Sequence, residues 1–125
     1  MQDFGGGNLV FSASDLSNAS ECLWAQVRRI DRALGYAIEV PKDKDSMLVR
    51  AGSLGDAHEA RKLAEFKIQF QDGVAEIARP DYKHPTKSVA EQMRDLSAQT
   101  LQALADKKKV VFQATFFDGV FQGFA

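Results

Sequence analysis

Apolar side chains recur every three or four residues over positions 12–35, a spacing that places them on one face of an α-helix. The residues of this stripe are Leu16, Ala19, Leu23, Val27, Ile30 and Leu34. Ser12 is suited to cap the start of the helix, with Asp15 in its first turn, and Gly35 is suited to end it. Because Cys22 and Trp24 fall off the stripe, the pattern also allows a break near Cys22.

A second helix is predicted to begin near Asp56, after a connector over residues 36–55 in which Pro41 and a polar run oppose a long helix. Its inward positions are Ala57, Ala60, Leu63, Ala64 and Ile68. The dipeptide Asp72-Gly73 marks a turn after this helix.

A short strand and a third helix follow. Residues 74–78 alternate well enough for a strand, and Pro80 ends it. The helix runs from Ser88, or just before it, to about residue 107, with Ser88 and Glu91 spaced as a capping box. Its apolar stripe consists of Val89, Met93, Leu96, Thr100 and Leu104.

The last segment, residues 109–125, gives the clearest strand signal. Two apolar, aromatic-rich runs flank Asp118-Gly119, a dipeptide that supplies the positive φ angles of a two-residue hairpin turn. The second run reaches Ala125 with no element behind it, which would leave a sheet edge and an apolar face uncovered. We therefore expect an N-terminal fragment of a longer protein, in which a second copy could pair with the edge over residues 120–125 as an artefact of truncation.

Composition restricts the class of protein. With 125 residues, 45% of them apolar and 26% charged, the chain is one globular domain or part of one. No apolar run reaches the roughly 20 residues that cross a bilayer, and no secretory signal is recognisable, so we expect a cytoplasmic protein. Residues 1–10 contain three consecutive glycines without the Lys-Ser/Thr of a phosphate-binding loop, and we interpret them as a flexible lead-in.

Net charge and cysteine content restrict the possible functions less. The net charge of −1 provides no global attraction to nucleic acid, but Arg28, Arg29 and Arg32 form a local basic cluster. This cluster is either a nucleic-acid contact or a solvated helix face. Cys22 is the only cysteine, so no disulfide forms within the chain.

His58 and Glu59 are the pair with the clearest potential for chemistry. Taken alone, a helical His-Glu dipeptide is more often a solvated feature than a ligand site. The zinc-protease pattern H-E-x-x-H fails because Lys62 stands where the second histidine is required. His84 lies in a predicted loop and carries no assigned role.

The order of short motifs nevertheless resembles the N-terminal part of RecB-like nucleases of the PD-(D/E)XK superfamily, over residues 11–125. The first motif of that family, S-x-S-D-L followed by a cysteine, matches Ser12, Ser14, Asp15, Leu16 and Cys22. Its G-x-x-H-E segment matches Gly55, His58 and Glu59. Its final hairpin, V-I-Y-Q-A and then G-x-A-D, matches residues 111–114 and 123–125.

The resemblance implies a mixed α/β, restriction-endonuclease-like domain, truncated, with helices around the first strands of a central sheet that ends in a β-hairpin. It implies a hydrolase for DNA phosphodiester bonds, acting with Mg²⁺ or Mn²⁺ in the full-length protein and partnered or fused with a helicase in DNA repair. His58 is then the expected metal ligand, with Glu59 the second choice, since adjacent helical side chains point about 100° apart. The family's aspartate after G-x-A and its Asp/Glu-x-Lys strand fall beyond Ala125, so this fragment is expected to bind no metal of its own and to be inactive.

Other interpretations stay open. Some RecB-like nucleases hold an iron–sulfur cluster with a cysteine at the position of Cys22, whereas a partly buried free thiol is the simpler alternative. The domain as a whole is alternatively a non-catalytic nucleic-acid-binding or scaffolding module, or an interaction domain with no nucleic-acid role.

Overall fold

The computed structural model describes residues 1–39 and 46–125, which form a mixed α+β structure. Its helices are α1 (Ala13–Glu21), α2 (Leu23–Ala33), α3 (Ser46–Phe70) and α4 (Val89–Ala105), and a 3₁₀ turn covers Gln71–Gly73. Its strands are β1 (Gln2–Asp3), β2 (Leu9–Val10), β3 (Val74–Glu76), β4 (Val110–Phe112), β5 (Thr115–Phe117) and β6 (Gln122–Phe124). Within the described residues, no helix is both long enough and apolar enough to cross a bilayer.

Residues 1–10 form a hairpin, which corrects the flexible lead-in expected for them. Strands β1 and β2 pair in antiparallel fashion, with Gln2 opposite Val10. The three glycines form the turn, all with positive φ angles that other residues rarely adopt. The side chain of Val10 is fully buried, so this hairpin belongs to the core.

The helix predicted over residues 12–35 breaks at Cys22, as the pattern allowed. Cys22 has extended backbone angles and separates α1 from α2. At the start of α1, the Asp15 carboxylate accepts hydrogen bonds from the Ser12 backbone N–H at 2.8 Å and from the Ser12 hydroxyl at 2.7 Å. The predicted partnership of Ser12 and Asp15 at the helix start is therefore confirmed.

Helix α3 begins at Ser46 and not near Asp56, which corrects the predicted start of the second helix. Gly52 and Gly55 lie inside it, where an added Cβ would meet nothing within 4 Å. Glycine lowers helix propensity, but no packing is lost at these exposed positions, so the helix continues through them. Pro41 and the rest of the connector over residues 40–45 lie outside the described residues.

The packed face of α3 differs in part from the prediction. Leu63 is half-buried as predicted, and Phe66 and Phe70 are half-buried as well, whereas Ala57, Ala60 and Ala64 are exposed and Ile68 is 80% exposed. The predicted stripe consists mainly of alanines, whereas Leu63, Phe66 and Phe70 offer more apolar area to bury and determine the facing side.

Strands β3 and β4 pair in parallel, with Val74 opposite Val110, and α4 connects them. The predicted strand after the 72–73 turn and the predicted third helix, which is α4, are both confirmed. At the start of α4, the Ser88 hydroxyl accepts from the Glu91 N–H at 3.2 Å, and the Glu91 carboxylate accepts from the Ser88 N–H at 2.8 Å. The predicted capping box is therefore present.

The C-terminal segment forms a hairpin, but not with the predicted two-residue turn. The first apolar run is divided at Gln113, whose φ is +57°, so that β4 joins β3 while β5 pairs with β6. The hairpin loop has four residues, 118–121, because Phe117 is opposite Gln122. The Asp118 carboxylate accepts from the N–H groups of Phe121 at 2.7 Å and Val120 at 2.9 Å. These hydrogen bonds lower the pKa of Asp118 and favour the longer loop.

Helix α4 packs against β5 to form the centre of the core. Met93 and Thr100 have no exposed surface, and Leu96 and Ala103 are buried beside them. The Thr100 hydroxyl accepts a hydrogen bond from the Thr115 backbone N–H at 2.9 Å and donates to the Leu96 carbonyl at 3.0 Å. One buried hydroxyl thus joins the helix to the strand.

Candidate active site

His58 and Glu59 lie in the middle of α3 and point in different directions. The His58 side chain is exposed, and its Nδ1 lies 3.0 Å from Nη2 of Arg61, one helical turn further on. Its neighbours are therefore on its own helix. Glu59 is four residues before Leu63 and shares the side of α3 that packs on the rest of the protein.

Glu59 meets side chains from two distant segments. Its Oε2 lies 3.6 Å from Nη2 of Arg79, and it accepts a 3.5 Å hydrogen bond from Nε2 of Gln113. Arg79 in turn donates from Nε to Oε1 of Gln113 at 3.0 Å. The three side chains close a triangle, which we call the Glu59 triad.

Each member of the triad reaches this place by a different local structure. Arg79 follows β3, immediately before the buried Pro80. Gln113 sits between β4 and β5 in the left-handed backbone conformation, which turns the chain from one sheet into the next. Neither residue was predicted from the sequence to have a functional role, although Gln113 lies within the segment that matches V-I-Y-Q-A.

A pocket of about 440 Å³ opens beside the triad. Pro80 and Tyr82 line it from the loop after β3, and Phe124 and Ala125 line it from the end of β6. A smaller groove on the other side of Glu59 is lined by Asp56, Ala60 and Phe112. Glu59, Arg79 and Gln113 therefore line both the pocket and the groove.

The buried side chain of Gln92 holds the loop that borders this pocket. Its Oε1 accepts from the Asp81 N–H at 2.8 Å, and its Nε2 donates to the carbonyls of Asp81 at 2.9 Å and Lys87 at 3.2 Å. A single glutamine of α4 thereby fixes both ends of the loop that carries Tyr82.

The ion pair within the triad, between Arg79 and Glu59, is exposed to solvent. The side chains of Arg79 and Glu59 are 65% and 51% exposed, so water and salt screen their attraction. The pair is therefore easily opened by another ligand of either charged group.

The residues around Glu59 offer hard oxygen donors, which suit Mg²⁺ or Mn²⁺. Glu59 provides a carboxylate, Gln113 an amide oxygen, and Asp56 a second carboxylate at the adjacent groove. In the described part of the chain, however, no group of three His, Cys, Asp or Glu side chains could hold a metal ion. These residues fit a contribution to a metal site and not a complete one.

The three predicted arginines are on α2, and none of them lines the pocket with Glu59. Arg28 forms an ion pair with Asp31 and stacks on Trp24, with its guanidinium carbon 4.6 Å from the ring centre. Arg29 and Arg32 line a separate pocket next to Asp15.

Cys22 is an exposed free thiol at the junction of α1 and α2. This corrects the expectation of a partly buried thiol, since the break in the helix turns the residue to the surface. No second cysteine is present in the chain to join it in a metal site.

Comparison with known proteins gives no family for the chain. No family model matches it, and no curated protein or solved structure matches it at a significant level. A functional assignment therefore depends on the residues and their geometry.

Proposed function

We propose that this chain belongs to a metal-dependent nuclease domain with a restriction-endonuclease-like fold, and that it contributes the Glu59 triad to the active site. The mixed α+β structure and the motif order that resembles RecB-like nucleases support the proposal. The full-length protein would hydrolyse DNA phosphodiester bonds, and a helicase would be its partner.

The observation that carries the proposal is that Glu59 shares a pocket with Phe124 and Ala125 at the end of β6. In the RecB-like pattern, the residue after G-x-A is the metal-binding aspartate. A carboxylate at that position would be next to Glu59, so helix and hairpin would together offer two carboxylates to one ion. His58 does not line this pocket, and the geometry therefore favours Glu59 as the ligand from α3.

The chemistry of the neighbouring side chains agrees with this assignment. A bound divalent ion supplies charge that polarises the phosphate and activates water. Glu59 and Gln113 would hold it through oxygen atoms. Arg79 would exchange its contact with Glu59 for one with a phosphate oxygen, because a guanidinium binds phosphate in the same forked geometry as a carboxylate.

The test requires a protein that continues past Ala125 in its natural reading frame, assayed for Mn²⁺-dependent cleavage of linear DNA. Loss of a metal-binding carboxylate removes several kcal/mol of transition-state stabilisation, so Glu59→Gln should lower kcat roughly 100-fold or more. Glu65→Gln is the matched control, because Glu65 is an exposed glutamate of the same helix that pairs only locally with Lys62.

His58→Gln distinguishes the two neighbouring residues. If cleavage falls with His58→Gln and not with Glu59→Gln, the assignment of Glu59 is wrong and the original preference for His58 is correct. If the longer protein binds DNA without metal and never cleaves it, the non-catalytic nucleic-acid-binding module is the better account.

A further inference from the structure

The pocket beside the Glu59 triad has aromatic walls. Tyr82 and Phe124 line it from two separate segments of the chain, and Pro80 adds a third apolar side chain. With a volume of about 440 Å³, the pocket has the size of small-ligand sites, which combine apolar walls with a few polar groups. The polar groups here belong to the triad, so one pocket offers ring surfaces and charged side chains to the same ligand.

The Tyr82 side chain contributes little to the packing of the protein. It is 56% exposed. Within residues 1–39 and 46–125, its ring takes part in no aromatic or cation–π contact, and its hydroxyl takes part in no hydrogen bond. A tyrosine that lines a pocket without supporting the fold is available to a ligand.

The loop that carries Tyr82 is nevertheless held on both sides of this residue. On one side, the buried Gln92 binds the backbone N–H and the carbonyl of Asp81. On the other side, Nδ1 of His84 accepts hydrogen bonds from the backbone N–H groups of residues 86 and 87, at 3.2 and 3.0 Å. Because the backbone around Tyr82 is already ordered, a ligand that contacts the ring loses little free energy in ordering the loop.

We infer that this pocket binds an unpaired nucleobase, which stacks on Tyr82 while Arg79 contacts a phosphate of the same strand. Both residues line the one pocket, so the ring and the guanidinium are available to one ligand. An aromatic side chain beside a cation binds single-stranded nucleic acid because every base has a face that can stack. Inside a duplex both faces of a base are covered by its neighbours, and the pocket is therefore selective for unpaired bases.

This inference rests on the proposed function for its class of ligand, and it adds the specificity of the same site. Tyr82 becomes the residue that selects the substrate, whereas Glu59 keeps the metal chemistry. The two assignments can fail separately, because stacking requires no metal ion and cleavage requires one.

The first experiment measures stacking directly on the chain of 125 residues, in EDTA. The ligand is an oligothymidylate of about 10 nucleotides with one 2-aminopurine, a base whose fluorescence falls when it stacks on an aromatic ring. We expect saturable quenching with the single strand, and an affinity roughly tenfold higher than for a blunt duplex of the same length.

Three variants then locate the stacking site. Tyr82→Leu keeps an apolar side chain but removes the flat ring, so it should weaken binding roughly tenfold and abolish the quenching. Tyr82→Phe keeps the ring and should retain both. Tyr36→Leu is the matched control, because Tyr36 is the only other tyrosine, is 65% exposed and does not line this pocket.

The second experiment uses the longer, cleaving protein and separates binding from chemistry. Tyr82→Leu should raise KM for single-stranded DNA roughly tenfold and leave kcat nearly unchanged, because the stacked base is bound equally in the ground state and in the transition state. Glu59→Gln should instead lower kcat.

Equal affinity for duplex and single strand, wild-type quenching in Tyr82→Leu, or an equal loss in Tyr36→Leu would overturn the inference. A longer protein whose cleavage depends on Glu59 but whose KM is unchanged in Tyr82→Leu would also overturn it and leave the proposed function standing. Quenching that depends on Tyr82, in a longer protein that never cleaves DNA, would support the binding site and contradict the proposed function.

Discussion

The carboxylate of Asp15 should make a measurable, pH-dependent contribution to stability. Its side chain is only 8% exposed, and it lies 2.7 Å from the Met1 amino group. Burial alone would raise the pKa of Asp15, but the hydrogen bonds from the Met1 amino group and Ser12 outweigh burial and lower it from 3.8 to about 2. The carboxylate is therefore more stable in the folded protein than in the unfolded chain.

The size and sign of this contribution follow from linkage. A depression of nearly two pKa units at about 1.4 kcal/mol per unit corresponds to about 2 kcal/mol of folding free energy. Because the folded pKa is the lower one, the contribution is complete above the unfolded value near 3.8. It is lost as the pH falls toward 2.

Asp15→Asn tests this reasoning, since asparagine keeps the shape and its side-chain oxygen still accepts hydrogen bonds from Ser12, but it carries no charge. Urea unfolding should show the variant about 2 kcal/mol less stable at pH 7, with the difference shrinking by more than half at pH 2. Asp72→Asn, at an exposed position in the 3₁₀ turn, is the control for general charge effects. A difference between wild type and Asp15→Asn that is the same at both pH values would refute the role of the charge.

Three other perturbations follow from local geometry, each measured by urea unfolding or hydrogen exchange. Thr100→Val should lower the free energy of unfolding by about 1–3 kcal/mol, because it leaves the Thr115 N–H buried without an acceptor. Thr115→Val loses only a 3.4 Å hydrogen bond and should lower the free energy of unfolding by less. Lys107 has a φ of +53° just after α4, so Lys107→Gly should be about 1 kcal/mol more stable than Lys107→Ala. Gln92→Leu should speed hydrogen exchange of the amides at residues 81–87, and unchanged exchange would contradict its role in holding that loop.

Local signals in the sequence predicted the elements that depend on local chemistry. The Ser12–Asp15 and Ser88–Glu91 pairs are hydrogen-bonded at helix starts as their spacing indicated. The break at Cys22 was allowed because Cys22 and Trp24 lie outside the apolar stripe. In each case the energy that determines the structure comes from residues within one helical turn, so the pattern contains the information.

The predictions that failed depended on tertiary packing. The second helix was predicted to begin near Asp56, after a connector that includes Gly52 and Gly55, yet α3 continues through both glycines. The apolar run over residues 109–117 was interpreted as one strand, but Gln113 divides it between two sheets. Neither the length of a helix nor the division of a strand is encoded in residue spacing alone, because each depends on which surfaces are available for packing.

At the candidate site, too, the sequence identifies the residues, but tertiary packing determines which of them faces the pocket. The resemblance ranked His58 before Glu59 as the metal ligand, but which of the two faces the pocket depends on which side of α3 packs inward. Phe66 and Phe70 decide that side by burying more area than the alanines on the predicted face, and Glu59 turns toward the strands as a result.

The pocket beside Glu59 therefore depends on three structural supports that act separately. The aromatic residues of α3 orient Glu59, the buried Pro80 and the loop held by Gln92 position the Arg79 segment, and the left-handed turn positions Gln113. Since the triad itself is exposed and weakly held, its shape is determined by these supports and not by its own hydrogen bonds. A ligand of Glu59 can therefore displace Arg79 at little energetic cost, because the ion pair is exposed and the shape of the pocket does not depend on it.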